Sequence, residues 1–565
     1  MNEQLLTVEE AATRLNVSVA TARRWCASGK LPAKRVGRGW VIDVNALPKA
    51  RRNPPRRKAT TASGMVNMSR SIKELATEDL RRNVWVPDVL RFEDDLAKPD
   101  FIFNAAALRL DRVESFDPPI TVPVPKSPFF VRNAVNLTLP DRVAYHAAVA
   151  VVAPLVEKVT SGAVFSARLS SESNRFLEAG TNAWVRWKAA VEKAVLASDG
   201  WMIETDVTAF FDCISHTILM QDLQRLGCPT PIVDAIREGL RQWSAAPNTG
   251  IPQGPDGSRV LGNFYMVAVD DVMLAIPGIS YFRYMDDIRI VAEKKHVAVD
   301  ALHVLGAECL RRNLYLSTKK TALHKGQEAV DSMTDRLIDD AAYAFDHTLD
   351  GKDMRDQLCK LFKAALGKSG LNTRRAKFSI YRLRALREDG VLRLALKRLE
   401  DLAPLGQLVP LYVLPWLRRP AAGRDIAGYL VDPERNTSDF LSTWLLAAFL
   451  DEPRAITSDI LSYAHQVAFG RSNSSYHRAI ALNVVALGGL HRDLARVGEL
   501  IRKEFDPEVV RAAVVALARV GALDKPAIAA AARIAGIDAT LDYLKGRTEL
   551  PSLVLHGARV PIGKQ

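Results

Sequence analysis

Five cysteines in 565 residues, Cys26, Cys213, Cys228, Cys309 and Cys359, lie far apart and leave no Cys-x-x-Cys pair. This excludes a zinc ribbon or a disulfide scaffold and suits a reducing cytoplasm, which is the expected location. No run of eighteen or more apolar residues occurs, so neither a transmembrane helix nor a membrane partner is expected. The first residues, Met1-Asn-Glu-Gln-Leu-Leu6, lack a basic segment followed by an apolar core, and no signal peptide is expected. Acidic residues are also in short supply: 64 against 77 Lys and Arg, a formal charge of +13. That balance favours a polyanionic partner. The length predicts three or four domains.

The composition divides the chain. In residues 1–48, Thr7 is placed to cap a helix bearing Val8, Ala11, Ala12 and Leu15, with Glu10 completing a capping box. Ser18 is placed to cap a second helix that Gly29 ends. Lys34-Arg-Val36 and Trp40-Val-Ile42 read as a small hairpin around Gly37-Arg-Gly39, with Trp25 and Trp40 in the core. Residues 49–68, rich in Arg, Lys and paired prolines, read as a basic linker. Residues 69–330 mix helices with short strands, such as Ile120–Lys126 and Phe129–Arg132. Beyond about 331, apolar residues recur at helical spacing, as in Ile380–Leu399, Thr443–Leu450, Ala479–Leu487 and Val509–Val520. These predict stacked helical hairpins through 565, similar to HEAT-like repeats, with an irregular helical domain as the alternative. The expected class is therefore α+β and multidomain.

The N-terminal run Thr7-Val-Glu-Glu-Ala-Ala-Thr-Arg-Leu-Asn-Val-Ser-Val-Ala-Thr-Ala-Arg-Arg-Trp25 closely resembles excisionase and MerR-type winged helix-turn-helix domains. The resemblance implies Thr21, Arg23 and Arg24 on a groove-facing helix, with Lys34, Arg35 and Arg38 on phosphates. A solvated helix face is the alternative for the arginines.

Two central segments carry acids at the edges of apolar runs, where a buried carboxylate is costly without a cation. Asp206 lies between Met202-Ile203 and Val207. Asp286-Asp287 lies between Tyr281-Phe282 and Ile288–Val291. Two strands side by side would converge three carboxylates on one hard-cation site of the Mg²⁺ type. Asp212, farther along, reads as a helix N-cap.

These segments belong to an ordered set: Asp206-x4-Phe211-Asp212, Ile251-Pro-Gln253-Gly254-Pro255, Tyr284-Met-Asp286-Asp287 and Leu314-x-Leu316-Ser-x-Lys319-Lys320-Thr321. In this order and spacing they resemble palm motifs A to D of the reverse transcriptase family, with a right-hand fingers–palm core. The resemblance implies that Asp206, Asp286 and Asp287, with the Val207 carbonyl, hold two Mg²⁺ ions, Mn²⁺ being an alternative. It implies that Phe211 lies beneath the sugar and selects dNTPs, and that Gln253 and Gly254 approach template or nucleotide. Lys319 or Lys320 protonates pyrophosphate, and Arg132 or Arg168 receives the triphosphate. Arg142 falls in the same finger-like segment.

No HNH nuclease, maturase or RNase H pattern follows the palm. A polymerase core before a long helical region is similar to abortive-infection and defence-associated reverse transcriptases. That class implies antiphage DNA synthesis on an RNA or DNA template, or template-free with a protein hydroxyl as primer. Tyr343, Tyr381, Tyr412, Tyr429, Tyr463, Tyr476 and Tyr543 then become primer candidates, most of them expected to be packing residues. A homo-oligomer is left open. The alternatives are a domesticated retroelement enzyme without a defence role, and a DNA-binding regulator with an inactive palm.

Overall fold

A computed structural model describes residues 5–15, 19–29, 31–36, 39–43, 61–80, 84–127, 130–172, 175–347, 351–367, 370–547 and 550. The chain divides into two compact units, residues 1–60 and 61–565.

In the first unit, helix α1 (Val8–Leu15) begins at the expected capping box. The Glu10 amide donates to Thr7 Oγ1 at 3.3 Å, and the Thr7 amide donates to Glu10 Oε2 at 2.8 Å. Helix α2 (Val19–Ala27) ends before Gly29, whose φ of +71° suits glycine. Strands β2 (Lys34–Val36) and β3 (Gly39–Asp43) form the hairpin. A further strand, β1 (Leu5–Thr7), pairs with β3, so the sheet order is β1-β3-β2. Leu6, Val8, Ala11, Ala12, Ala22, Cys26, Leu31 and Ile42 form its core, with Trp25 and Trp40 packed against it. Residues 44–60, most of the expected linker, lie outside the described residues, as does Ser18.

The second unit is built on a four-stranded antiparallel sheet. Its strands are β6 (Trp201–Asp206), β7 (Ile279–Tyr284), β8 (Asp287–Ala292) and β9 (Ala322–Lys325), in the order β7-β8-β6-β9. Both faces are covered because neighbouring residues point to opposite sides. Ile203, Ile288 and Ile290 join one core, shared with the helices Asp256–Leu274 and Lys295–Arg311. Met202 and Val291 pack on the other face against Trp187, Val191 and Val195 of the helix Gly180–Ser198. Ahead of the sheet, β4 (Ile120–Ser127) and β5 (Phe130–Asn136) form a hairpin, followed by the helix Leu139–Val159. That helix is long and apolar enough to span a membrane, but 72% of its most apolar window is buried in the fold.

After residue 330 the described structure is nearly all helical. Asp439–Asp451, Ser458–Phe469, Ser475–Gly488 and Pro507–Arg519 pack together around Leu446, Ile480, Val484 and Val514. The run Ile380–Leu399 is not one helix. Thr373–Ala385 ends where Arg387 takes φ +50°, and helix resumes at Leu392–Lys397. These helices do not have a core of their own: Val86, Val89, Leu90, Val122, Val124 and Ala134 from the earlier segment share it. The joint is polar as well. Arg511 Nη1 donates to Asp88 Oδ1 at 2.6 Å, and its Nη2 to Asp94 Oδ1 at 2.7 Å.

Candidate active site

The sheet sets the acids by register. Asp206 ends β6 directly opposite Asp287, the first residue of β8. Tyr284 pairs with Asp287, so Met285 and Asp286 form a two-residue hairpin loop. Met285 takes φ +61°, a left-handed geometry that two-residue hairpins require. The Val207 amide donates to the Asp286 carbonyl at 3.1 Å, tying the loop to the strand that carries Asp206. Burial pushes the Asp286 carboxyl up to about 6, helped by the fields of Asp206 and Asp287. Burial also raises Asp287, against the pull of Arg289.

A third segment reaches the same point. The Ser317 amide donates to the Asp206 carbonyl at 2.7 Å, and the Thr208 amide to the Tyr315 carbonyl at 2.8 Å. Thr205 and Thr321 hydroxyls meet at 2.8 Å. Strapped in this way, Lys320 places its Nζ 2.9 Å from Asp206 Oδ1. Burial works against its charge, but the bond to Asp206 and the fields of Asp287 and Asp286 outweigh it and raise its pKa. Lys319 is exposed. Among the described residues, no three His, Cys, Asp or Glu side chains are already gathered tightly enough to hold a metal ion. The ammonium of Lys320 is instead the cation at the carboxylates.

Beside the acids, Phe210 is core and Phe211 is half-buried, meeting it edge-on at 5.3 Å. Gly262 of the helix Asp256–Leu274 comes so close that an added Cβ would lie 3.1 Å from Phe210 and 3.6 Å from Met285 Sδ. Asp212 is not an N-cap. The short helix Phe210–Cys213 starts at Ala209 without a side-chain cap, and Ser215 caps the next helix. Asp212 falls within the first turn and faces Gln253, whose Nε2 lies 3.4 Å from both its oxygens. Burial raises the Asp212 pKa, opposed by Lys126, Gln253 and Arg132. Gln253 Oε1 in turn lies 3.5 Å from Arg132 Nη1. Gly254 holds φ +123°, which only glycine adopts without strain.

The two arginines proposed for a triphosphate differ. Arg132 on β5 feels Asp212 and Asp286, and burial lowers its pKa. Arg168 is committed elsewhere: Nε donates to Glu157 at 2.8 Å, and Nη1 to the carbonyls of Ser161 and Val164 at 3.0 and 2.9 Å. Arg142 is buried, with Nε on Asp79 at 2.6 Å.

Sequence reasoning missed the group that holds the hairpin from behind. Fully buried Arg283 donates to Asp270 at 2.7 and 2.6 Å, to Asn263 Oδ1 at 3.0 Å and to the Met285 carbonyl at 2.9 Å. Only its inward position in the alternation of β7 could have pointed to it. Lys126 was missed because a hairpin lysine looks like a surface charge.

In the first unit, Arg23 donates to Glu9 at 3.0 Å, both side chains being exposed. Lys34 and Arg35 are exposed on β2, with Arg35 6.0 Å over the Trp40 ring. Thr21 and Arg24 lie on α2, and Arg38 lies outside the described residues. Of the seven tyrosines, Tyr412, Tyr429, Tyr476 and Tyr543 are buried, Tyr381 and Tyr463 are half-buried, and Tyr343 is 68% exposed.

Comparison with known proteins identifies both regions. No curated protein matches the chain. Among solved structures, an apo telomerase from Candida tropicalis, truncated from its C-terminal domain, matches at 12% identity with a TM-score of 0.29. The match covers 38% of this chain and 51% of that one, so the chain spans about half of that structure's length. Residues 5–48 match the family model of a helix-turn-helix domain. Residues 156–333 match that of the reverse transcriptase, an RNA-dependent DNA polymerase, and this span contains both acid-bearing strands, the Gln253 loop and Lys320. Such domains are generally dependent on a divalent metal. Residues 5–48 are therefore similar to helix-turn-helix domains, and residues 156–333 to the reverse transcriptase, the RNA-dependent DNA polymerase family.

Proposed function

We propose that the chain is a Mg²⁺-dependent DNA polymerase that builds DNA from dNTPs and serves antiphage defence. The observation that carries the polymerase reading is the register of Asp206 against Asp287, with Asp286 on the adjoining turn. Three acids converge there, with the exposed ammonium of Lys320 bonded to Asp206, and such a hard-oxygen donor set fits a divalent cation better than a lysine. Asp206, Asp286 and Asp287 would hold the metal with the Val207 carbonyl, Mn²⁺ being a substitute. When bound, the metal supplies activation of the primer hydroxyl and neutralises charge on the leaving pyrophosphate.

The protein's own groups do the rest. Lys320, an ammonium placed beside Asp206, donates a proton to pyrophosphate. Lys319 stays a secondary candidate. Phe211 closes the space under the sugar against a 2′-hydroxyl. Gln253 orients Arg132 and Asp212, and the freedom of Gly254 lets backbone approach the nucleotide. Arg132, with Lys126, receives the triphosphate; Arg168 has no guanidinium edge to spare for it.

The winged helix binds nucleic acid through Thr21, Arg23 and Arg24, with Lys34, Arg35 and Arg38 on phosphates. The C-terminal helices act as a HEAT-like scaffold. For a protein primer we favour Tyr343, the exposed one of the seven tyrosines.

Incorporation of dNTPs with Mg²⁺ by wild type and by Asp286→Ala/Asp287→Ala tests the polymerase. Equal, minimal incorporation by both defeats it. Phage plating on cells carrying either form tests defence, and equal plaque counts remove that claim. A gel shift with and without residues 1–60 tests the winged helix, where unchanged binding refutes its role.

A further inference from the structure

A cavity of about 160 Å³ opens between the β4–β5 hairpin and the C-terminal helices, lined by Trp85, Val124, Lys377, Gln407, Phe440 and Trp444. It adjoins the polymerase site through its walls. Trp85 Nε1 donates to the Gln253 carbonyl at 2.8 Å, and Trp444 Nε1 donates to the Trp85 carbonyl at 3.0 Å. Val124 pairs across the hairpin with Arg132, whose Nη1 reaches Gln253. One wall is the helix Thr373–Ala385, which buries Ala376, Ile380 and Leu383 and turns Arg374 and Lys377 outward. Arg374 sits 5.8 Å over Trp184, which meets Tyr284 of the β7–β8 hairpin edge-on at 5.1 Å. The same helix therefore spans from the Asp286 turn to the cavity.

Among the described residues, Lys377 in this corner lacks an anion: it has no carboxylate within ion-pair distance, and its charged neighbour is Arg132. Arg132 Nε is buried and has no hydrogen-bond partner. An ammonium without an ion pair, and a guanidinium with its Nε unbonded, beside aromatic rings match a phosphate joined to a flat base. The space suits one base rather than a base pair.

We propose that this cavity binds one unpaired nucleotide, with its base against Trp85 and its phosphate between Lys377 and Arg132. The proposal rests on the polymerase reading for its biological sense, and makes the C-terminal helices part of the substrate site. The nucleotide is either a unit of a single strand or a free dNTP, which share this chemistry.

The test uses the full chain. Binding of a labelled dT12 strand and of dTTP is measured by fluorescence anisotropy and by competition, in wild type, Lys377→Glu and Lys377→Arg. A 5-iododeoxyuridine strand is photo-crosslinked in parallel. Lys377 is solvent-exposed at the cavity wall, and far-UV circular dichroism checks that both variants fold. Lys377→Glu is expected to weaken binding at least tenfold, and Lys377→Arg to stay within about threefold of wild type. Loss for dT12 alone assigns a strand nucleotide, with a salt slope shallower by about 0.7 for the lost phosphate contact. Loss for dTTP alone assigns a free nucleotide. The crosslink is expected in residues 84–85, 404–407 or 440–444. Wild-type binding of both ligands by Lys377→Glu, with crosslinks elsewhere, overturns the proposal. That result, alongside dNTP incorporation that Asp286→Ala/Asp287→Ala abolishes, removes the cavity and leaves the polymerase standing. Binding loss in Lys377→Glu with no incorporation by wild type does the reverse.

Discussion

Two acidic clusters in the larger unit are treated in opposite ways. Where the earlier segment meets the C-terminal helices, Asp88 and Asp94 share Arg511, which gives each a short, charge-assisted bond, and Thr540 adds a donor to Asp94 at 2.7 Å. Arg511 is held well above the ordinary guanidinium range by these partners, although burial works against its charge. At the β7–β8 hairpin, Asp206, Asp286 and Asp287 share Lys320, itself 64% exposed, and Asp287 also feels the field of Arg289. The first cluster is closed and serves the joint between regions. The second is more open, and its ion pair, Lys320 to Asp206, is solvent-exposed on the lysine side. The difference lies in the compensation, since the acids are of the same type.

That contrast sets four expectations. The largest concerns the open cluster. Asp286→Asn should cut dNTP incorporation by about 10³-fold or more, the several kcal/mol that metal-held charge stabilisation supplies. In the same variant, unfolding by denaturant should be unharmed, since a repelled charge is gone. Next, Arg511→Met strands Asp88 and Asp94 and should cost about 3–5 kcal/mol of stability, read by denaturant unfolding. If both substitutions lowered stability alike, the contrast would be false. Lys320→Met should lower kcat by about 10²-fold with KM little changed, as loss of a general acid does; single-turnover incorporation measures it.

The smallest effect is one of pH. Glu508, beside Arg511, is raised by burial to about 7, from an ordinary 4.5. Between those values the native state binds a proton that the unfolded state has lost. The stability it brings is full below about 4.5 and is lost as the pH rises through about 7. Glu508→Gln should flatten that slope in unfolding scans from pH 4 to 8.

Much of the site was legible in the sequence because it is local. Asp206 lies at a strand end and Asp286 on a two-residue turn, positions that apolar alternation and spacing reveal. The capping box of Thr7 and Glu10 is equally local. Arg168 and Arg132 were indistinguishable from sequence, since an arginine's partner is chosen across space. Glu157 claims one, while Gln253 and Asp212 surround the other. Asp212 went astray for a similar reason. Its helix is only Phe210–Cys213, too short for a side-chain cap to be worth forming, and Gln253 offered a partner 41 residues away. In the run Ile380–Leu399 helical spacing persists across the break at Arg387, so spacing alone does not mark where one helix ends and the next begins.

By itself the sequence determined the strands that bear the acids, their order with the Gln253 loop and Lys320, and the two helices of the N-terminal unit. Each depends on residues a few positions apart, where periodicity and turn chemistry act directly. Only the tertiary structure decided that Lys320 rests on Asp206, that Arg283 braces the Met285–Asp286 turn, and that the C-terminal helices share a core with Val124 and bring Lys377 beside Arg132. Those outcomes depend on which buried charges find partners across the fold, and burial makes the choice of partner energetically decisive.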